Sequence, residues 1–376
     1  MGALTGVRVL ISAAAARMGG ARAHLLGLVP EFAALAPEDH VLLIAQPDLI
    51  AELPALPSTW TVRADRSQER GPFKQLIWEQ RMLPRVATRW RADVLLSFGS
   101  FLPLGASCST VLETGNALPF TRAYWQLIEK SPVRVQVQEG LRWLLLRASL
   151  RAATRILVPT SAMRQDVVAR LPEVGNRIDV ALWGVASFFH HLRWSEPGST
   201  DSVVFGVSKH GINKEFDVLV RAVARLDARL VMTGTPEESR WSRESAALAE
   251  RLGVADRVCF AGDLPNRSVA DLIQQSRLLV FPTWCESFGL PLAEAVAMGA
   301  PAVAGNIPAC REVGGDAARY YTPGDPTSLC DAISELLADR MAASDLAQAA
   351  RERGAHFQWR RNAEEVYATL QRAAAA

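Results

Sequence analysis

Short β-branched or aliphatic runs recur along the chain, each followed by a longer stretch in which apolar residues return every three or four positions. In the first half, Val7–Ile11, Val41–Ala45, Val94–Phe98, Thr110–Glu113 and Arg155–Pro159 read as strands. Segments near 20–36, 73–90, 133–153 and 161–171 read as helices. In the second half the strands are Val203–Ser208, Arg229–Thr233, Val258–Ala261, Leu278–Pro282 and Ala302–Ala304. Helices near 216–227, 237–253, 268–276, 291–299, 326–338, 341–354 and 358–373 lie between or after them. Strand–helix alternation of this kind predicts parallel sheets covered by helices on both faces, hence an α/β class with two units. Runs that are apolar throughout, such as Leu278-Leu279-Val280-Phe281, fit strands buried on both faces.

The pattern breaks near Gly184 to Ser202, where Trp183-Gly184-Val185 is followed by Ser195-Glu196-Pro197-Gly198-Ser199-Thr200. Pro, Gly and Ser gather there as they do in linkers, which places the seam between the units in that stretch. No repeat of solenoid length is visible, and only Ala373–Ala376 is of low complexity. Two open α/β sheets are expected to bind ligand between them, at the carboxyl ends of their strands.

With 376 residues, 49% of them hydrophobic and 21% charged, the chain can build two cores, and bulk disorder is excluded. A net charge of +2 argues against a strongly basic nucleic-acid binder. Five cysteines without a CxxC indicate neither a disulfide framework nor a zinc knuckle, and reduced thiols in the cytoplasm fit best. There is no HExxH, and no Asp-x-Asp to clamp a metal on a diphosphate, so no metal is expected. No apolar run is long enough for a transmembrane helix, and the N-terminal apolar run reads as a first strand rather than a signal peptide. Charge is uneven: residues 1–185 hold 21 Lys+Arg against 15 Asp+Glu, and the remainder 20 against 24. Only four cations are lysines, and two of these, Lys209 and Lys214, fall in one short segment.

The richest chemistry lies between Phe281 and Pro301. A buried strand ends at Pro282, a polar loop follows, and a helix opens with Pro291 near its first position, where a missing N–H costs nothing. The backbone N–H groups of Phe288, Gly289 and Leu290, beside Ser287, then stand at the positive end of a helix, a geometry suited to phosphate. Gly289 admits close approach to the backbone. Glu286 in the loop and Glu294 one turn into the helix can accept hydrogen bonds from sugar hydroxyls on either side of a diphosphate. The plainer alternative is that Glu286 caps the helix and Glu294 faces solvent, although Leu292, Ala293, Ala295 and Val296 flank the latter.

At these residues the sequence resembles the retaining glycosyltransferases of family 4, whose fold is GT-B. Glu286 and Glu294 have that family's E-x7-E spacing. Arg257-Val-Cys-Phe-Ala-Gly262-Asp-Leu264-Pro is similar to its strand and turn near the nucleotide base, and Ile307-Pro308 through Ala318 to its next helix entry. Asp325-Pro326 and the final Phe357-x-Trp359 helix match in position, so the resemblance covers most of residues 150–370. It implies two Rossmann-like domains facing across a cleft: an acceptor-side domain over 1–185, a nucleotide-sugar domain over 186–356, and a C-terminal helix, 357–376, returning to the first domain.

The resemblance further implies a nucleotide-diphosphate sugar as donor substrate, a GDP-sugar being favoured, with no cofactor and no metal. A cation must then offset the diphosphate as the sugar leaves. Gly206-Val-Ser208-Lys209-His210-Gly211-Ile-Asn213-Lys214 is similar to the family's basic donor loop, with Lys214 at the position of the diphosphate lysine. Many members carry an arginine early in this loop; here Lys209 substitutes, against the plainer alternative of an exposed surface lysine. Met18-Gly19-Gly20 resembles the family's glycine loop facing donor phosphate and acceptor, although by itself it is an ordinary tight turn. The next helix carries His24, expected to be packed rather than catalytic. Where many members have a histidine touching the transferred sugar, this chain has Asn116, as do relatives that build bacterial surface polysaccharides. Asparagine can orient a sugar or acceptor but cannot act as a base near neutral pH.

Retention without a placed nucleophile implies front-face substitution, in which the donor's phosphate oxygen takes the acceptor's proton. The reading is thus a hexosyltransferase, resembling mannosyl- or rhamnosyltransferases of polysaccharide and lipopolysaccharide assembly, with a glycan or polyprenyl-pyrophosphate-linked acceptor and no nucleic-acid partner. A nucleotide-sugar epimerase of the same fold and a non-catalytic nucleotide-sugar sensor stay open beside it. In the basic first half, Arg134, Arg142, Arg147, Arg151 and Arg155 interleave with Trp143, Leu144, Leu145, Leu146 and Leu150, and Lys74, Arg81, Arg85, Arg89 and Arg91 accompany Trp78 and Trp90. Such interleaving fits peripheral contact with an anionic membrane at the inner face of the plasma membrane, or helices packed on a sheet.

Overall fold

The computed structural model describes residues 6–14, 16, 19–65, 72–99, 101–197 and 203–376. Met18 of the glycine loop and residues 198–200 of the Pro/Gly/Ser stretch lie outside the described residues, as does the side chain of Lys74. The chain divides into two compact units, Met1–Gly184 with Trp359–Ala376, and Val185–Gln358.

The first unit is built on β1 (Arg8–Ser12), β2 (His40–Ala45), β3 (Trp60–Ala64), β4 (Val94–Phe98), β5 (Ser109–Glu113), β6 (Arg155–Val158) and β7 (Ile178–Val180). They form one sheet in the order β3-β2-β1-β4-β5-β6-β7, with every described pairing parallel, Val9 for instance opposite both Val41 and Val94. Val9, Leu10, Ile11, Val94, Leu95 and Leu96 are all buried, which is why consecutive rather than alternating apolar residues make these strands.

The helix Trp359–Ala374 joins this unit's core through Ala363, Val366, Leu370 and Ala373. A Cβ added at Gly27, in the helix Gly19–Leu35, would meet Trp359 at 2.1 Å, so the two helices touch where only glycine leaves room for the indole. Nearby, His24 is buried between Trp183 and Trp359. Its Nε2 lies 2.9 Å from Asn362 Oδ1 and its Nδ1 3.3 Å from Glu113 Oε1, and Asn362 donates to the carbonyls of Ala181 and Leu182. His24 is therefore a packed residue, as expected.

The second unit is built on β8 (Val203–Gly206), β9 (Arg229–Met232), β10 (Val258–Phe260), β11 (Leu278–Phe281), β12 (Ala302–Gly305) and β13 (Arg319–Tyr321), in the parallel order β10-β9-β8-β11-β12-β13. In both sheets the order reverses beside the first strand, between β1 and β4 and between β8 and β11. Open α/β sheets bind ligands outside the carboxyl ends of their strands at such a switch point. Helices start where side chains can cap them: Thr160 accepts from Met163 N–H, Ser239 from Ser242 N–H, and Asp325 from Thr327 and Ser328.

The short β3, β7 and β13 and the helices Pro47–Glu52 and Arg122–Glu129 were not among the expected elements. The physical reason is local: Trp60 is the only buried residue of β3, and β7 and β13 have three residues each, so none offers an apolar run.

Candidate functional site

The loops that leave β8, β9, β10 and β11 at their carboxyl ends interlock within the second unit. Ser208 N–H donates to Thr233 Oγ1 at 3.0 Å, and the Thr233 hydroxyl donates back to Ser208 O at 2.7 Å. Gly234 and Gly262 exchange backbone hydrogen bonds at 2.7 and 3.0 Å, and Lys209 reaches Asp263 at 3.9 Å. His210 is buried, stacked on Phe216 at 3.8 Å between ring centroids, with Nε2 2.9 Å from Thr233 O. Leu264, partly buried, completes the turn after β10.

The loop after β8 is then zipped to the loop after β11. Lys214 and Thr283 form an antiparallel bridge, Glu215 N–H donates to Pro282 O at 3.0 Å, and Trp284 N–H donates to Asn213 O at 3.1 Å. This backbone pairing brings side chains 72 positions apart together: Lys214 Nζ donates to Glu286 Oε1 as a close ion pair. Asn213 Nδ2 donates to the same oxygen at 3.2 Å, and the Thr283 hydroxyl at 3.0 Å. The side chains of Lys214 and Glu286 are 11% and 15% exposed, and the ammonium also lies 4.4 Å from the centroid of the buried Phe281 ring. An ammonium over an aromatic face and beside a carboxylate is held as a compact cation at one place.

Glu286 is therefore a loop residue bound into the cation's surroundings and does not cap the following helix. That helix, Leu290–Met298, is preceded by Gly289 at φ +97°, the left-handed region that glycine enters without strain; a Cβ there would also crowd Phe281 at 3.1 Å. Ser287 and Phe288 are buried, and the Phe288 ring packs edge-on to Phe357, so its main chain rather than its side chain stands at the loop. Glu294 lies one turn into the helix and is partly accessible, yet burial of the carboxyl pushes it up to about 8. Cys310, fully buried behind the pair, has its thiol pushed up, first by burial and then by the charge of Glu286, which keeps it protonated and unreactive.

Two residues that sequence reasoning missed fix the lysine's backbone. Glu215, buried, accepts a hydrogen bond from the hydroxyl of the fully buried Tyr321 at 2.5 Å; burial raises this carboxyl, and the tyrosine bond opposes that rise. Asn213 and Thr283 were likewise unassigned. For Asn213 and Glu215 the signal available was position, since both adjoin Lys214; Thr283 and Tyr321 adjoin no site candidate and carried no signal.

Lys209, by contrast, is 52% exposed. Gly19, Gly20 and Asn116 belong to the first unit. Gly19 and Gly20 open the helix Gly19–Leu35 after β1. Asn116 is exposed in the loop after β5, where its Oδ1 accepts from Leu118 N–H at 3.2 Å and so also shapes a local turn. Among the described residues no cluster of His, Cys, Asp and Glu could hold a metal ion, and no helix is long and apolar enough to cross a membrane.

Residues 201–339 match the model of a family described as glycosyl transferases group 1. The chain is 32% identical over 239 residues to a D-inositol 3-phosphate glycosyltransferase from Mycolicibacterium smegmatis, a match covering 59% of this chain and 53% of that protein. The chain thus spans about half the length of this relative, and less of others it matches. Among solved structures it is similar to a sucrose-phosphate synthase from Thermosynechococcus elongatus, with a TM-score of 0.77 at 16% identity over 96% of this chain and 98% of that one. It is also similar to Anabaena HepE in complex with UDP-glucose, with a TM-score of 0.76 at 17% identity over 97% and 99%. These likenesses establish the fold: two parallel-sheet Rossmann-like domains of the GT-B type.

Proposed function

We propose that this chain transfers a hexose or deoxyhexose from a nucleotide-diphosphate sugar, with retention and without a metal, to a glycan or polyprenyl-pyrophosphate-linked acceptor in bacterial surface polysaccharide assembly at the inner face of the plasma membrane. A GDP-sugar of mannose or a deoxyhexose is the favoured donor. The observation that carries the reading is the Lys214–Glu286 pair, held by Asn213 and Thr283 at the switch point between β8 and β11. The match of residues 201–339 to group 1 glycosyl transferases supports it over this same segment.

In this reaction the bond from the sugar's anomeric carbon to the diphosphate oxygen breaks, and the acceptor oxygen bonds to that carbon on the same face. The acceptor's proton passes to the departing phosphate oxygen. Charge builds on the diphosphate as it leaves, and Lys214 stabilises it beside the N-terminal turn of the helix Leu290–Met298. Glu286 serves the sugar and holds the ammonium in place; Glu294 serves hydroxyls of the nucleotide. Ser208, Lys209, Gly262 and Leu264 line the nucleotide side, and Ser287 through Leu290 the phosphate side. The parts given to Gly19, Gly20 and Asn116 rest on the family resemblance alone.

The name of the Mycolicibacterium smegmatis relative favours a second acceptor, D-inositol 3-phosphate, for the same chemistry. Incubation with GDP-, UDP- and dTDP-sugars, with each acceptor class and with chelator, tests all of these. Release of nucleoside diphosphate in the presence of chelator and an α-configured product from an α-configured donor are expected. Lys214→Ala and Glu286→Ala should each lower the rate by about 10²-fold or more. Wild-type rates in both variants would falsify the site; an isomerised donor would indicate an epimerase, and binding without turnover a sensor.

A further inference from the structure

The helix Val133–Ala152 of the first unit is apolar on two opposite faces. At about 100° per residue, Leu146 and Leu150 turn inward and are buried in a core with Ile156, Met163 and Val167. On the other side Val133, Val137, Leu141 and Leu144 fall within about 80° of one another and are exposed by 73, 57, 62 and 58%. A surface helix ordinarily carries one apolar stripe, facing its core. Here a second stripe, about 16 Å long at 1.5 Å per residue, is turned to solvent, and contiguous apolar surface of this kind marks an interaction site.

The charges around the stripe select the partner. Between residues 122 and 152 there are six basic side chains and two acidic ones. Exposed Lys130 and Arg134 stand at its N-terminal end, and Arg134 and Arg147 border it on either side. Glu139 and Glu173 are engaged by Arg142 and Arg151. A second copy laid stripe to stripe would bring like charges together, whereas an anionic surface meets both the apolar row and the cations. We propose that this outer face docks on an anionic lipid bilayer, with the helix lying flat in the interface, its four apolar side chains inserted and its cations among the head groups. The inference locates the membrane contact on one element and is independent of the donor chemistry.

The test is co-sedimentation of the full chain, without nucleotide sugar, with vesicles of phosphatidylcholine alone or with one quarter phosphatidylglycerol. The wild type is expected to bind the anionic vesicles at low salt and to be released as salt rises. The double variant Val137→Glu/Leu141→Glu should lower the bound fraction at least tenfold. Lys130→Ala/Arg134→Ala should lower it about fivefold per cation removed while leaving the apolar row intact. All four residues are exposed, so thermal unfolding of the variants should match wild type, separating lost binding from lost folding. Wild-type protein that ignores anionic vesicles, binds neutral ones equally, or self-associates through this face in a way that Val137→Glu/Leu141→Glu abolishes would overturn the proposal. Its failure in this assay would leave the transfer reaction standing, since no donor is present.

Discussion

Replacing Glu294 by glutamine keeps the side chain's shape and removes a titrating group. Leu292, Ala293, Ala295 and Val296 around it are all buried, and desolvation alone raises the carboxyl from 4.5 to about 8. Below pH 4.5 the carboxyl is protonated in both folded and unfolded chains. Between 4.5 and about 8 the unfolded chain releases the proton and the folded chain keeps it, so stability falls as pH rises, and above about 8 the loss is complete. Each pH unit in that window is worth about 1.4 kcal/mol, so the gap sets a ceiling of about 5 kcal/mol. Because the side chain has an accessible edge, water relaxes part of this penalty; about half the ceiling corresponds to roughly 5–10 °C in Tm for a unit of this size. Thermal unfolding of wild type and Glu294→Gln from pH 5 to 9 is the assay. The stability difference should widen with pH in favour of glutamine and level off above pH 8. Parallel curves would show that the carboxyl ionises normally and that burial does not hold it protonated.

The remaining predictions concern residues that hold the site and the first unit in place. Tyr321→Phe removes the donor to buried Glu215, so chemical denaturation should show a loss of about 1–3 kcal/mol; turnover should fall several-fold, because Glu215 directly follows Lys214 in the chain. Unchanged stability and rate would remove Tyr321 from any positioning role. Gly27→Ala pushes a methyl into Trp359 and should destabilise the first unit by about 1–3 kcal/mol, while Trp359→Leu made together with it should recover part of that loss in the same unfolding assay.

Much of the organisation was legible along the chain. Strands such as Leu278–Phe281, buried on both faces of a parallel sheet, must be apolar at every position, and that run is visible without any structure. The E-x7-E spacing of Glu286 and Glu294 and the position of Lys214 in a lysine-poor chain were equally visible. Edge strand β3 was not, because a strand with little burial carries no apolar demand.

What the sequence determined by itself is therefore the local periodicity, the α/β class and the residue types available at the loops. Only the tertiary structure decided which of them meet. The Lys214–Glu286 pair spans 72 positions and the Tyr321–Glu215 bond 106, and both exist because β8, β11 and β13 end at one edge of a single sheet. For the helix Val133–Ala152, whose two faces are almost equally apolar, the pattern could not say which would be buried. Packing against the core of Ile156, Met163 and Val167 chose one face and left Val133, Val137, Leu141 and Leu144 to solvent, since a helix can turn only one side to a given core.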